Sequence, residues 1–248
     1  TTWDPLCEKY PWLSPYSYCG GDPVNAIDKS GKLIIFINGM HFGDGGKRAY
    51  WGGFFKAIVN MTKDGRAIFI DGSLGGVKGL VSNRYGISNH SAQSRMVAGK
   101  EKGRAKAKAI VSLLKETETI KVVTHSMGSA FAKGFITALI KYGEENGIDI
   151  VSRIEYELDL APFQPYDQKA VDGVKTIFVQ HYNDGIAGIG DIEGADIGKR
   201  LHRYRFSTGL EELRIEFEEH SIESFVMDIE EIKLLINDMD KKPDGKER

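Results

Sequence analysis

The chain has 248 residues, of which 41% are hydrophobic and 27% are charged, a composition typical of a globular protein with a substantial core. Its 33 basic and 35 acidic residues give a formal net charge of -2, so no global positive field would hold a nucleic acid, and we expect no nucleic-acid partner. The longest apolar runs, such as 33–37, are far shorter than the roughly 18 residues that a membrane-spanning helix needs.

Residues 1–32 differ from the rest of the chain. They contain four prolines and show neither a helical nor a strand period, which indicates a loop-rich appendage. The chain starts without Met, a basic patch or an apolar stretch, so we expect it to be a fragment of a longer protein. Cys7 and Cys19 can form a disulfide only in an oxidising compartment, and they lack the spacing of a metal site.

The amino-acid sequence of this appendage is distinctive. It reads Trp3-Asp-Pro-Leu-Cys-Glu-Lys-Tyr-Pro-Trp-Leu-Ser-Pro-Tyr-Ser-Tyr-Cys-Gly20, followed by Asp22-Pro-Val-Asn-Ala-Ile-Asp-Lys-Ser-Gly31. The text resembles the closing segment of Rhs repeat-associated cores. This resemblance implies that the sequence after it is a variable effector domain of a secreted or cell-surface protein, whose remaining Rhs part lies N-terminal to this fragment.

Strands and helices alternate from residue 33 onwards, a pattern that predicts an α/β fold with a mostly parallel sheet and helices on both faces. The apolar run 33–38 predicts a buried strand, helical apolar spacing covers 47–61, and a second strand follows at 67–71. The stretch 72–98 has weak periodicity. Its glycines among leucines and valines favour a mobile lid that could face lipid.

The second half of the chain continues the alternation. A helix is predicted at 103–116, a strand at 120–124, a helix at 127–142, strands at 154–160 and 176–180, a functional loop at 183–199, and late strands or a hairpin at 202–207 and 213–217. An amphipathic helix closes the domain, with one apolar face made by Ile222, Phe225, Val226, Ile229, Ile232 and Ile236. We therefore expect one domain at 33–239 and a flexible tail at 240–248.

One serine lies between a predicted strand and a predicted helix, in Lys121-Val-Val-Thr-His-Ser-Met-Gly-Ser-Ala130. A tight strand-to-helix turn strains its apex residue and exposes that side chain, provided that small residues flank it. Gly128 meets this need, whereas Thr124 replaces the upstream glycine of the G-x-S-x-G pattern. A serine that only caps the helix is the simpler alternative.

The His-Ser-Met-Gly wording after two valines resembles the nucleophile elbow of lipase-like α/β-hydrolases. The resemblance implies an α/β-hydrolase-like fold in which Ser126 is the nucleophile, with no metal and no cofactor. Because a serine hydroxyl keeps its proton at neutral pH, it needs a base. In that fold the histidine follows the serine along the chain, so we expect His220, with His202 as the alternative and His181 as the remaining candidate.

The acid also follows the serine in α/β-hydrolases. The segment Asn183-Asp-Gly-Ile186 resembles the sequence around the catalytic acid of bacterial lipases. This resemblance implies that Asp184 is the acid. Asp159, at the end of the strand at 154–160, is the competitor. A carboxylate in this position would orient the histidine and stabilise its charged form.

Attack on an ester also needs donors for the oxyanion. The backbone N–H of Met127 is one candidate, because it begins the helix after the elbow. The second is Met40, because Asn38-Gly-Met-His41 resembles the oxyanion segment of lipases. His41 and His125 precede the serine, so we interpret both as wall or structural residues.

These features together predict a serine hydrolase that cleaves carboxylic esters, with lipid esters as the favoured substrates. The charged run 100–108 is interpreted as a solvated helix face, with peripheral contact to anionic lipid headgroups as the alternative. Thr124 in place of the elbow glycine leaves a second function open, a binding module on the same fold that has lost catalysis.

Overall fold

Strands and helices alternate through the described chain, as the sequence predicts. The computed structural model describes residues 32–41, 43–73, 92–115, 118–188, 190–202 and 218–241. The main elements are β1 (Leu33–Asn38), α1 (Gly52–Thr62), β2 (Arg66–Asp71), α2 (Ala92–Leu113), β3 (Ile120–His125), α3 (Gly128–Glu145), β4 (Ile154–Leu160), β5 (Thr176–His181), β6 (Ile197–Leu201) and α4 (Ile229–Lys241). Short 3-10 helices lie at Arg48–Trp51, Pro165–Asp167 and Ile222–Val226.

The strands form a single six-stranded sheet in the order β2-β1-β3-β4-β5-β6. Each neighbouring pair in it is parallel, so the predicted fold class is confirmed. Every residue of β1, β3 and β5 is buried, because helices cover both faces of the sheet. A parallel sheet covered in this way needs near-continuous apolar strands, which is why these strands were visible in the sequence.

Alternate residues of each strand serve two separate cores. One core packs α1, α4 and the 3-10 helix at Ile222–Val226 against Phe36 and Val123. The other packs α2 and α3 against Ile35 and Val122. The predicted placement of helices on both faces is thereby confirmed.

The predicted start of α2 was wrong. Sequence periodicity placed this helix at 103–116, whereas it runs from Ala92 to Leu113. Its first half packs on α3 through glycine: a Cβ at Gly99 would lie 1.9 Å from the carbonyl oxygen of Phe131, and one at Gly134 would lie 1.8 Å from that of Met96. A contact made by backbone and glycine carries no apolar period, so the sequence pattern could not show it.

Three other boundaries differ from the predictions. The first helix starts with a 3-10 helix at Arg48–Trp51, and the closing amphipathic helix is divided into a 3-10 helix and α4. The last described strand is β6, which pairs with β5 from Ile197 onwards. The end of the predicted loop 183–199 is therefore part of a strand. This polar strand lies at the edge of the described sheet and is only partly buried, which explains why no apolar run marked it.

Several predictions lie outside the described residues. They concern the appendage 1–31 with Cys7 and Cys19, the lid between 74 and 91, the strands after His202, and most of the tail. The boundaries of the three predicted chain segments stay predictions. None of the described helices is both long and apolar enough to span a bilayer.

The parallel arrangement brings the carboxyl ends of all six strands to one edge of the sheet. Asn38, Asp71, His125 and His181 are terminal residues of four of these strands. In open α/β sheets this edge is where ligands bind. The described segments that follow strand ends at this edge build the candidate site, namely 39–41, 43–46, 126–128, 161–164 and 182–188.

Candidate active site

Ser126 occupies the apex of the turn between β3 and α3. Its φ of 56° lies in the left-handed region, which is rare for a residue other than glycine. Two backbone contacts hold it there: its N–H donates to the carbonyl oxygen of Leu160 at 2.9 Å, and its own carbonyl oxygen accepts from the N–H of Phe163 at 3.2 Å. The turn is therefore tied to the end of the neighbouring strand β4.

Two glycines allow the chain to close tightly around this turn. A Cβ at Gly128 would lie 2.4 Å from the carbonyl oxygen of Ile37, and a Cβ at Gly39 would lie 2.6 Å from the Cβ of Ser126. Both distances are shorter than real Cβ contacts permit, so glycine is required at 39 and at 128. The ends of β1 and β3 thus approach each other at Ser126.

Thr124 stands where the elbow pattern has a glycine, and the structure shows what accommodates it. Its Oγ1 donates to Asp159 Oδ1 at 2.5 Å, and Lys133 Nζ of α3 donates to Asp159 Oδ2 at 2.7 Å. Glu157 completes this buried group, with its Oε2 2.8 Å from Lys133 Nζ. The threonine side chain therefore points into a charged cluster beneath the turn, and it ties the strand before Ser126 to the helix after it.

His220 lies between Ser126 and Asp184. Its Nε2 is 2.8 Å from Ser126 Oγ, and its Nδ1 is 2.9 and 3.0 Å from the two carboxylate oxygens of Asp184. A carboxylate can only accept, so Nδ1 carries the proton and the Nε2 lone pair faces the serine hydroxyl. The structure brings together the three side chains that the sequence singles out as nucleophile, base and acid.

The Asp184 carboxylate is buried and supported by its own loop. Its Oδ1 accepts from the N–H groups of Ile186 and Ala187 at 3.0 and 2.9 Å. These two hydrogen bonds fix the orientation of the carboxylate towards His220. The chain order serine, acid, histidine, with the serine at a strand-to-helix turn, is that of α/β-hydrolases.

The alternative candidates lie elsewhere. Asp159 is engaged by Thr124 and Lys133, and His202 stacks on the ring of Tyr182 with 3.6 Å between centroids. His181 is buried behind the loop that carries His220, with its Nε2 2.8 Å from Asp228 Oδ2. None of these three contacts involves Ser126.

The two segments expected to supply oxyanion donors flank Ser126. Met127 directly precedes the first residue of α3, and a Cβ at Gly39 would lie 3.1 Å from its backbone nitrogen. Met40 follows Gly39, and its side chain is 40% exposed. Residues 39–41 and 43–46, called the oxyanion loop from here on after the role predicted for Met40, fold back on Asn38, whose Oδ1 accepts from the N–H of Gly46 at 2.7 Å.

The side chain of His41 contacts the end of β2. Its Nε2 is 3.1 Å from Asp71 Oδ2, and its Nδ1 accepts from the N–H of Gly43 at 3.0 Å. Neither contact involves Ser126, and the interpretation of His41 as a wall or structural residue stays a prediction. Within the described ranges, no group of three His, Cys, Asp or Glu side chains is placed to hold a metal ion.

Sequence reasoning missed three residues next to the site. Lys133 and Glu157 lie under the elbow, and Tyr50 hydrogen-bonds to His125 through its hydroxyl. Lys133 lies in an otherwise apolar stretch of α3, which was the one available signal. Nothing in the sequence marked Tyr50 or Glu157.

Comparisons with known proteins yield only distant similarities. No family model matches the chain, and no curated protein matches it. An esterase from Pyrobaculum calidifontis aligns over 84% of this chain and 75% of its own, at 10% identity and a TM-score of 0.45. A Trichoderma reesei cutinase with a bound phosphonate inhibitor aligns over 80% and 76%, at 18% identity and a TM-score of 0.40. A carboxylesterase from Mesorhizobium loti aligns over 77% of this chain and 88% of its own, at 10% identity and a TM-score of 0.40. Similarities this low carry no argument about activity.

The cluster beneath the elbow makes stability depend on pH. Burial, followed by the charge of Asp159, raises the pKa of Glu157 from 4.5 to about 8, although Lys133 opposes the shift. Burial alone would lower the pKa of Lys133, but the charges of Asp159 and Glu157 raise it overall. In the folded protein the pKa of Glu157 therefore lies well above its ordinary value.

A folded-state pKa above the unfolded value means that stability is lost as pH rises between the two values. Between about pH 4.5 and 8, Glu157→Gln should therefore become progressively more stable than wild type, by at most roughly 1.4 kcal/mol per pH unit. Urea unfolding of both proteins at several pH values measures the difference. Glu144→Gln, on the exposed side of α3, is the control and should show no such trend; a pH-independent difference for Glu157→Gln would contradict the account.

Proposed function

We propose that the protein is a serine hydrolase that cleaves carboxylic esters through an acyl-enzyme. The observation that carries this proposal is the position of one imidazole: His220 contacts Ser126 Oγ through Nε2 and Asp184 through Nδ1. This arrangement is what acyl transfer to a serine requires. These hydrogen bonds are 2.8–3.0 Å long, within the range of good geometry.

Each proposed step uses groups of this chain and water. His220 Nε2 takes the proton as Ser126 Oγ attacks the ester carbonyl carbon, and Asp184 stabilises the resulting imidazolium. The backbone N–H groups of Met127 and Met40 hold the oxyanion. His220 then gives its proton to the departing alcohol, and a water molecule, activated by the same nitrogen, releases the acid from Ser126.

We extend the proposal to lipid esters. The connection 161–175 between β4 and β5 contains only the 3-10 helix Pro165–Asp167, so no large lid is inserted there. The sequence between β2 and α2 carries Leu74, Val77, Leu80 and Val81 among glycines, a composition that would suit a cover facing lipid. Peripheral contact with anionic headgroups, through exposed Arg104, Lys106 and Lys108 of α2, belongs to the same proposal.

The direct test is hydrolysis of p-nitrophenyl esters of increasing acyl length. We expect wild type to be active, with longer chains preferred, and Ser126→Ala and His220→Ala to lose at least about 10³-fold in kcat. A preference for acetate over long chains would contradict the lipid part alone. Activity retained by Ser126→Ala would contradict the serine mechanism, and a folded but inactive wild type would favour the binding module.

Asp184 and Asp159 offer a matched pair in the same assay. Asp184→Asn should lower kcat by about 10²- to 10⁴-fold, because the base loses the partner that fixes its tautomer. Asp159→Asn should mainly lower the melting temperature, because Lys133 loses its charged partner in the interior. If both variants are folded at the assay temperature and Asp159→Asn loses more kcat, the acid would be Asp159 and the assignment to Asp184 would be wrong.

A finer proposal concerns the biological role. Segment 1–32 resembles the end of an Rhs core, which supports a delivered effector of a secreted or cell-surface protein that attacks phospholipid of another cell. Expression of the chain in a bacterial envelope tests this role. Wild type should slow growth, whereas Ser126→Ala at the same protein level should not. Equal growth of the two strains would contradict the toxic role, and the ester assay would stand.

A further inference from the structure

The catalytic base is anchored through its main chain as well as through its side chain. His125 precedes Ser126 at the end of β3, and its Nε2 is 2.7 Å from the backbone carbonyl oxygen of His220. The other ring nitrogen, Nδ1, contacts the hydroxyl of Tyr50. The same hydroxyl accepts from the N–H of Gly39 at 3.3 Å. One line of hydrogen bonds therefore runs from the oxyanion loop to the base.

The direction of each hydrogen bond in this line is determined. A backbone carbonyl can only accept, so His125 Nε2 carries the proton and donates to His220. His125 Nδ1 is then the acceptor, and the Tyr50 hydroxyl donates to it. The Tyr50 oxygen remains free to accept from the N–H of Gly39. Every donor in the line meets an acceptor, so the connection is complete.

Burial keeps this arrangement in one protonation state. It lowers the pKa of His125 to about 3, aided by the nearby charge of His220, and it raises the pKa of the Tyr50 hydroxyl far above its usual value. Both groups are therefore neutral throughout the range in which a histidine base works. The donors and acceptors along the line therefore stay the same when His220 gains a proton.

A second histidine holds the preceding carbonyl. His181 Nδ1 lies 2.7 Å from the carbonyl oxygen of Glu219, which also accepts from Ser224 Oγ at 3.1 Å. Two successive carbonyl groups, at 219 and 220, are thus each bound by a buried imidazole. The position of the base is fixed from the ends of both β3 and β5.

We propose that Tyr50 and His125 are positioning residues for the acyl transfer, because their hydrogen bonds join the oxyanion loop to the main chain of His220. The inference rests on the function proposed above. It states that the oxyanion donors and the base keep a fixed separation while Ser126 reacts. Rates of such reactions fall steeply when reacting groups are displaced by even about 1 Å, so loss of the connection should affect kcat more than KM.

Tyr50→Phe removes the hydroxyl and keeps the ring, which packs 5.4 Å from Trp51 and 5.7 Å from His125 between centroids. With an ester that wild type hydrolyses, we expect kcat to fall about tenfold, as for the loss of one hydrogen bond from a buried network, with KM within about twofold. Tyr142→Phe, a tyrosine near the far end of α3, is the matched control and should keep the wild-type kcat.

Two substitutions test the two hydrogen bonds of His125 separately. Glutamine places an amide N–H near the position of Nε2 and keeps the bond to His220, whereas asparagine reaches only as far as Nδ1 and keeps the bond to Tyr50. Both variants should have a lower kcat than wild type, and His125→Gln should retain more kcat than His125→Asn because only the bond to His220 acts on the base directly. Adding Tyr50→Phe to His125→Gln should cost less than it does in wild type, because the Tyr50–His125 contact is already absent.

Melting temperature and fluorophosphonate labelling separate the outcomes. Lower melting temperatures with unchanged kcat in Tyr50→Phe and both His125 variants would overturn the positioning role, since the contacts would then serve packing alone. If wild type itself neither hydrolyses esters nor labels, the proposed function fails first, and the positioning proposal fails with it.

Discussion

The left-handed backbone at Ser126 is the constraint around which the site is built. A residue with a Cβ in this conformation costs roughly 1–2 kcal/mol, and surrounding contacts have to hold it there. Leu160 and Phe163 bind its backbone, while Gly39 and Gly128 allow β1 and β3 to close around it. This backbone conformation places the Ser126 hydroxyl at the edge of the sheet, 2.8 Å from Nε2 of His220.

The departure from the usual elbow pattern has a physical explanation. Thr124 brings a hydroxyl where glycine is expected, and its partner Asp159 is charged, buried and paired with Lys133 of the helix that follows the elbow. A buried charge needs such partners. The cluster connects β3, β4 and α3 below the serine, and the Thr124 hydroxyl is part of it.

Sequence patterns predicted five of the six strands well, and predicted the polar edge strand β6 and the start of α2 poorly. Strands β1, β3, β4 and β5 are almost fully buried because helices cover both faces, and each was placed within one residue of its observed bounds. Polar β6 at the sheet edge and the glycine-packed start of α2 gave no such signal. Chain order narrowed the base to three histidines and the acid to residues after the serine, because acid and base follow the serine in this class of fold. The hydrogen bonds of Tyr50 connect residues distant in the chain, and no sequence period encodes them.

Covalent labelling of Ser126 by a fluorophosphonate tests the central claim most directly. The account predicts one phosphonyl adduct per wild-type chain by intact mass, located on the peptide that contains Ser126, and none on Ser126→Ala. Folded wild-type protein that stays unlabelled, or an adduct on another residue, would contradict it.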